Sequence, residues 1–354
     1  MPRRPAKKRR RGQRDLSLPY QEWRWEVGEP EHGQRLDAFL ANRLDWRSRA
    51  MVQRVIEEGG AQVLPHKDPQ QADIGALRAG SKLRRGQEVV VRMEAPGGAD
   101  ASRPPAASGL SGSHELEVVF EDAHLVAINK PPGVAVHPSK GHLTGSLIHL
   151  IHERHRALHG DTVDMPTLCH RLDRETSGLI LAAKDQLSRT RLGRQFEDRV
   201  VKKAYLAVVE GVIVKDEGVV DAPIGSALGS VIRLKMGVRE DGDGLPAVTR
   251  WRVRQRLATR TLVELYPETG RQHQLRVHMA HIGHPIVGDK LYLGGDDVFA
   301  RSVEGQLEPA DFARLGLPHH ALHSWRLTIE HPFTGFEMTL EAPLWPTIAT
   351  LVAE

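Results

Sequence analysis

Cysteine is almost absent from this chain of 354 residues, where Cys169 stands alone. A single thiol excludes an internal disulfide framework. With no signal-peptide pattern at the N-terminus, the expected setting is a reducing cytoplasm. Nothing near Cys169 in sequence lowers its pKa, so it reads as a small buried hydrophobe rather than a nucleophile. No apolar run approaches the length of a membrane span, and 40% hydrophobic residues fit a soluble globular protein with no membrane role. Internal repeats are lacking, and so is the acidic cluster of a metal-dependent hydrolase. Four histidines, His273, His278, His281 and His284, crowd one stretch. Their spacings miss the i, i+4 of a helical metal pair and no carboxylate lies between them, so no metal is expected.

What is present is unevenly placed. Residues 1–15 carry eight Lys or Arg against Asp15, a net +7 within a chain that totals only +4. A basic, unfolded tail over residues 1–30 is expected, able to hold a polyanion by counterion release; a merely solubilising tail fits the charge equally well. Residues 31–93 read as a small module. Leu36, Phe39, Leu40 and Leu44 recur at helical spacing, and Ser48 is a candidate cap for a second helix carrying Val52, Val55 and Ile56 before Gly59 and Gly60. Short strands are expected at Gln62–Leu64 and Glu88–Arg92. Residues 34–93 carry a surplus of +4, and Arg47, Arg49 and Arg54 fall near one outward side. Residues 94–113, rich in Gly, Pro and Ser, read as a flexible linker.

The second domain, residues 114–354, mixes strands and helices without regular alternation, which favours an α+β domain on a mixed sheet. Strands are expected over Leu116–Phe120, Leu125–Ile128 and Lys203–Gly211, and another after the turn Pro131-Pro132-Gly133; helices over Leu143–Ile151 and along Leu192, Phe196 and Val200. The densest stretch is His170-Arg171-Leu172-Asp173-Arg174-Glu175-Thr176-Ser177-Gly178-Leu179. It sets one carboxylate, Asp173, among cations just before an apolar run. Neighbouring cations keep such a carboxylate ionised, which suits a nucleophile or base; an Asp that only ties down a loop is the alternative. From Glu268 to Asp289 a second dense stretch gives a helix with Leu275, Met279 and Ile282 buried, and Arg276 beside them within reach of a neighbouring acid.

Four segments taken together carry a resemblance. The Asp173 motif, Asn129-Lys130-Pro131, Lys203-Ala204-Tyr205 and Gly270-Arg271-Gln272-His273-Gln274-Leu275-Arg276-Val277-His278 resemble, in order, the RluA family of pseudouridine synthases. Residues 31–93 resemble the small RNA-binding domain of a ribosomal small-subunit protein, although the Asn-Gly turn usual there is replaced by Leu64-Pro65-His66-Lys67. The resemblance implies a catalytic domain on a mixed, largely antiparallel sheet, and an isomerase that turns uridine into pseudouridine in RNA without a cofactor. It implies Asp173 as the catalytic group, Arg276 as its ion-pair partner, Tyr205 as the active-site aromatic, and Arg171 as the side chain that fills the vacated base stack. Arg47, Arg49 and Arg54 become candidate RNA contacts. Large-subunit ribosomal RNA is the implied substrate, with transfer RNA the alternative, and a monomer is expected. Gln272 departs from the more usual Thr.

Overall fold

The computed structural model describes residues 20–44, 49–64, 77–94, 116–138, 145–160 and 164–353. The described residues fall into two compact units, one drawn from Met1–Pro104 and His152–Met165, the other from Pro105–Ile151 and Pro166–Glu354.

The first unit holds β1 (Tyr20–Glu26), α1 (Leu36–Ala41), α2 (Arg49–Glu57), β2 (Ala61–Leu64) and β3 (Glu88–Glu94), with β3 central and antiparallel to both other strands. Leu36, Phe39, Leu40, Leu44 and Val52, the apolar positions of the expected helix pair, are fully buried against Val89 and Val91. Gly59 ends α2 in the left-handed region at φ 77°, where a side chain is disfavoured. Asp37, buried in α1, is matched by two Arg35 N–H groups at 3.0 and 3.1 Å. The expected tail is corrected at its far end. Tyr20–Glu26 is a strand, in register with β3 through Trp23 opposite Val91 and Trp25 opposite Val89. Alternation of Trp23 and Trp25 with Glu22, Arg24 and Glu26 is the period-two pattern of a half-buried strand, overlooked beside the basic run. Residues 1–19, Arg47, Ser48, the Arg49 side chain and the expected linker from residue 95 lie outside the described residues. Arg54 is exposed, 4.0 Å from Glu58.

The second unit opens with β4 (Val118–Glu121) and β5 (Leu125–Lys130), followed by α3 (Leu147–His159), whose last residues belong to the first unit. Next come β6 (Thr167–Leu168), β7 (Ser177–Ala183), α4 (Gln186–Glu197), β8 (Lys202–Glu210), β9 (Glu217–Asp221), β10 (Ile224–Ser226), β11 (Met236–Val238), β12 (Val248–Arg256) and β13 (Arg260–Pro267). The chain ends through α5 (Gln274–His281), α6 (Asp296–Glu304), α7 (Pro309–Leu315), β14 (Leu322–Glu330), β15 (Glu337–Glu341) and α8 (Pro346–Ala353). Ten strands share one sheet in the order β4-β5-β7-β14-β8-β13-β12-β9, with β15 beside β14 and β6 beside β7. Its pairings are antiparallel except β7 with β14, so the α+β class and the largely antiparallel mixed sheet are as expected.

Burial explains the sequence patterns. β5 and β7 are buried at every residue, so they read as continuous apolar runs, whereas β12 alternates exposed Arg250 and Arg252 with buried Trp251. The strand expected after Gly133 does not form. Its prolines cannot donate to a ladder, Gly133 curls at φ 85°, and the Lys130 ammonium folds back onto the carbonyls of Pro131 and Val134 at 2.7 and 3.0 Å. Val200, expected on the buried stripe of α4, is exposed beyond its end.

β7 and β14 cross closely behind the Asp173 segment. Gly178 faces Ser324 in parallel register at φ 103°, and a Cβ there would lie 2.3 Å from the Ser324 carbonyl oxygen. Gly178→Ala is therefore expected to destabilise the protein by roughly 2 kcal/mol or more, because strained backbone and overlap add. Urea unfolding midpoints of the two proteins check this; equal midpoints would mean the strands separate freely.

Candidate active site

Asp173 sits on the loop between β6 and β7, and that loop is tied down at several points. The Cys169 N–H donates to Leu181 O at 2.8 Å, and the Leu181 N–H donates to His170 Nε2 at 3.1 Å, which makes His170 a neutral acceptor. Burial pushes that imidazole down to about 3, and its ring stacks on Phe196. The Arg174 carbonyl accepts from Gly133 N and from Lys130 Nζ, both at 2.9 Å. Lys130 is wholly buried, and burial lowers its amine to about 7. Its nitrogen nevertheless faces three carbonyl oxygens within 3.0 Å, and only an ammonium has three protons to give, so the geometry favours the charged form. On the other flank Lys290 Nζ donates to Glu175 Oε1 at 2.6 Å, and Thr176 Oγ1 lies 2.7 Å from His320 Nε2.

α5 brings Arg276 to this loop. Arg276 Nη1 donates to Asp173 Oδ2 at 2.8 Å, while Nε and Nη2 donate to the two oxygens of Asp289 at 2.7 and 2.9 Å. Asp289 is completely buried, and its Oδ1 also accepts the N–H groups of Leu291 and Tyr292, each at 3.0 Å. The guanidinium is thus oriented by a two-point grip and presents its remaining edge to Asp173. Burial would raise the Asp173 carboxyl, but the charge and hydrogen bond of Arg276 together with the neighbouring His273 and His320 outweigh it and hold the group below the usual range; Arg276, His320 and the Tyr292 N–H do so more strongly for Asp289. With 28% of its side chain exposed, Asp173 is an ionised carboxylate that opens to solvent.

Behind it, His273 takes the left-handed position at the start of α5, φ 56°. The Tyr292 hydroxyl accepts the Met236 N–H at 3.1 Å and lies 2.9 Å from His273 Nδ1. The other ring nitrogen, Nε2, lies 3.8 Å from Asp173 Oδ2. A cleft of about 610 Å³ opens over these groups, lined by Arg171, Asp173, Phe196, Lys203, Tyr205, Leu275 and Leu322 among others. A second, of about 800 Å³, shares Asp173, Arg171 and Arg276 and continues past His137, Glu175 and Phe299. Burial raises the Tyr205 phenol to about 12, so its ring enters the cleft neutral.

The structure thus brings together Asp173, Arg276 and Tyr205, with exposed Arg171 on the same wall. Arg54 belongs to the other unit. Of the crowded histidines, His278 faces Thr249 and the Ala222 carbonyl, and His284 the Glu210 carbonyl. Cys169 is partly buried and its thiol is pushed up to about 12 by burial, in keeping with an inert role. Sequence reasoning gave no role to Asp289, Tyr292, Lys130 or Lys290. An acid after the apolar pair Ile286-Val287 was a signal for Asp289, since a buried carboxylate requires a partner.

Removing Asp289 should leave a buried guanidinium half paired, so Asp289→Ala is expected to cost about 3–5 kcal/mol of stability. Calorimetry or denaturant titration checks it, and a loss below the resolution of either would show the grip to be incidental. The buried imidazoles set a pH dependence. His170 at about 3 and His273, His320 and His323 at about 4 all lie below their ordinary 6.5 because of burial. Between these values the unfolded chain binds more protons than the folded one, so stability present above pH 6.5 should fall steadily toward pH 4. Unfolding midpoints measured from pH 8 to 4 should be level at first and decline below 6.5; a level profile down to pH 4.5 would contradict these burials.

Comparison with known proteins places this arrangement. Residues 124–281 match the family described as RNA pseudouridylate synthase. The chain is 35% identical over 328 residues to a Bacillus subtilis protein named as an uncharacterised RNA pseudouridine synthase, YlyB, covering 92% of this chain and 95% of that protein. Ribosomal large subunit pseudouridine synthase D of Nitrosomonas europaea is 36% identical over 90% of this chain and 84% of its own length. Ribosomal large subunit pseudouridine synthase C of Pasteurella multocida is 32% identical over 92% and 91%. Among solved structures, human RNA pseudouridylate synthase domain containing 4 aligns with a TM-score of 0.52 at 31% identity, over 67% of this chain and 92% of that one. Identity sustained along nearly the whole length of such relatives, on the expected fold, means that this chain belongs to the RluA family of RNA pseudouridine synthases.

Proposed function

We propose that this chain converts specific uridines of large-subunit ribosomal RNA to pseudouridine, acting as a cytoplasmic monomer with Asp173 as the catalytic group. The observation that carries the reading is an ionised, half-open carboxylate fixed by Arg276 on the wall of a cleft that also holds an aromatic ring. Relatives named for the ribosomal large subunit support the choice of RNA.

The reaction breaks the bond from ribose C1′ to uracil N1, turns the base and joins C1′ to C5. The proton on C5 leaves and N1 gains one, so the product is an isomer and no oxidant is needed. An anion at the sugar and a pocket that retains the detached ring are the requirements. Asp173 Oδ2 is occupied by Arg276, which leaves Oδ1 to act on the substrate, whether by attack on sugar or base or by taking a ribose proton. The Tyr205 ring, neutral and packed against the buried core, offers the uracil a flat apolar face. The target base must leave its stack to reach this depth, and Arg171, exposed at the rim, is suited to fill the gap. We assign the first unit, with its basic arm and exposed Arg54, to recruitment of RNA; Arg47 and Arg49 are carried with it as candidate contacts.

Asp173→Asn keeps shape and removes charge. It should fold, bind RNA, and release no tritium from C5-tritiated uridine in transcribed ribosomal RNA, and substantial release by the purified variant would refute the assignment. Recruitment is tested separately. Deleting residues 1–15 removes a net +7, so RNA affinity should drop and its salt dependence flatten while single-turnover rates at saturating RNA persist. An unchanged salt slope would remove the arm from the account.

A further inference from the structure

α4 is built against its own preferences at two positions, one on the wall of the cleft and one just past the helix end. Gly193 lies in the helix interior, where glycine weakens a helix relative to alanine. Packing does not require it, since a Cβ at Gly193 would meet nothing within 4 Å beyond its own stretch of helix backbone. It lines the active-site cleft together with Phe196. Two residues past the helix end, after the cap residue Asp198, Arg199 takes the left-handed conformation, φ 59°, at the position that glycine normally fills. The helix would be more stable with alanine at 193 and glycine at 199; the chain has a bare backbone at the first and a cation at the second.

Charge singles out the same edge. Residues 186–203 carry six Lys or Arg against Glu197 and Asp198, a net +4, although residues 94–354 sum to −4. Many arginines of this unit are spent on carboxylates, such as Arg239 on Asp241, Arg250 on Glu268, Arg256 on Asp216, Arg301 on Asp311 and Arg326 on Glu341. Arg189, Arg194 and Arg199 are exposed, and among the described residues no carboxylate forms an ion pair with them or with Lys203. Lys203 lines the cleft beside Phe196, its nitrogen 5.2 Å from that ring's centre. Arg199 is close enough to add to the burial that lowers the Lys203 ammonium, and the Arg189 charge reaches Cys169 in the cleft wall. Glu197 also faces the cleft, so the edge is a row of separate cations rather than a uniform positive surface. Unpaired cations need break no ion pair to take a phosphate, and a missing side chain lets a sugar–phosphate backbone lie against the helix.

We propose that the α4 edge of the cleft, from Arg189 past Gly193 to Arg199 and Lys203, is the track for the phosphodiester backbone of the RNA strand adjoining the target uridine. This rests on the reading of the cleft as the uridine site. It places part of the RNA affinity in the catalytic unit itself, where net charge conceals it.

The test uses the full chain with Gly193→Ala, Gly193→Leu and Arg199→Gly, and Lys215→Gln as an exposed cation outside the cleft lining. Thermal midpoints, dissociation constants for unmodified transcribed large-subunit RNA at several salt concentrations, and tritium release are measured. Gly193→Ala and Arg199→Gly should raise the midpoint and yet weaken binding by roughly 3-fold to 10-fold, with Gly193→Leu weaker still. Arg199→Gly should also lower the salt slope by about one, and Lys215→Gln should change neither. Higher midpoints with unchanged affinity and slope would overturn the track, and so would an equal loss in Lys215→Gln. Failure of the wild-type chain to release tritium would instead count against the uridine site, so the two failures are distinguishable.

Discussion

The catalytic unit depends on the direction of one guanidinium. Three charged groups are brought together, two carboxylates and Arg276, and taking charges out of water is costly unless each is matched. Asp289 meets that condition most completely, being buried with four N–H groups on its two oxygens. Because it grips both Nε and Nη2, Arg276 cannot rotate without breaking two charge-assisted bonds, and Nη1 is left aimed at Asp173. A fixed cation supplies what a mobile one would not: it keeps Asp173 ionised while leaving one oxygen and part of the side chain open.

Sheet topology sets up this meeting. Asp173 precedes β7, Tyr205 lies on β8, and Arg276 follows β13, strands that lie near the middle of one sheet. The close parallel crossing of β7 and β14 requires Gly178, and it places His320, just before β14, against Thr176. Rigidity comes from buried polar contacts on each flank of the loop: Lys130 on the Arg174 carbonyl and Lys290 on Glu175. At the rim the balance is reversed, and α4 carries departures from helix preference where a ligand would approach. Stability is concentrated beneath Asp173 and relaxed beside it.

Much of this could be read from the sequence wherever local pattern and function coincide. The apolar runs of β5 and β7, the helical stripe of α1 and α2, and the cations flanking Asp173 are all local signals, and the four-segment resemblance joined them. What escaped were relations across distance. Asp289 is thirteen residues from Arg276 and looks like the end of a motif, because nothing local says that a carboxylate there is wholly buried. Lys130 reads as part of a turn, and only the fold reveals that it closes on a carbonyl forty-four residues away. β1 was hidden for another reason: a composition argument about the basic run before it was extended over an alternating segment that carried its own strand signal.

The central claim is that Arg276, oriented by Asp289, keeps Asp173 ionised. Its most direct test follows the Asp173 carboxyl carbon by NMR in uniformly carboxyl-labelled protein, assigned with Asp173→Asn, across a pH titration of the wild type and Asp289→Asn. Asp173 should titrate below the ordinary aspartate value in the wild type, with a single sharp carboxyl environment. In Asp289→Asn the guanidinium loses its grip, and the Asp173 signal should broaden or divide as Arg276 samples more than one orientation. An Asp173 that titrates at or above the ordinary value in the wild type, or that is unaffected by Asp289→Asn, would contradict the account.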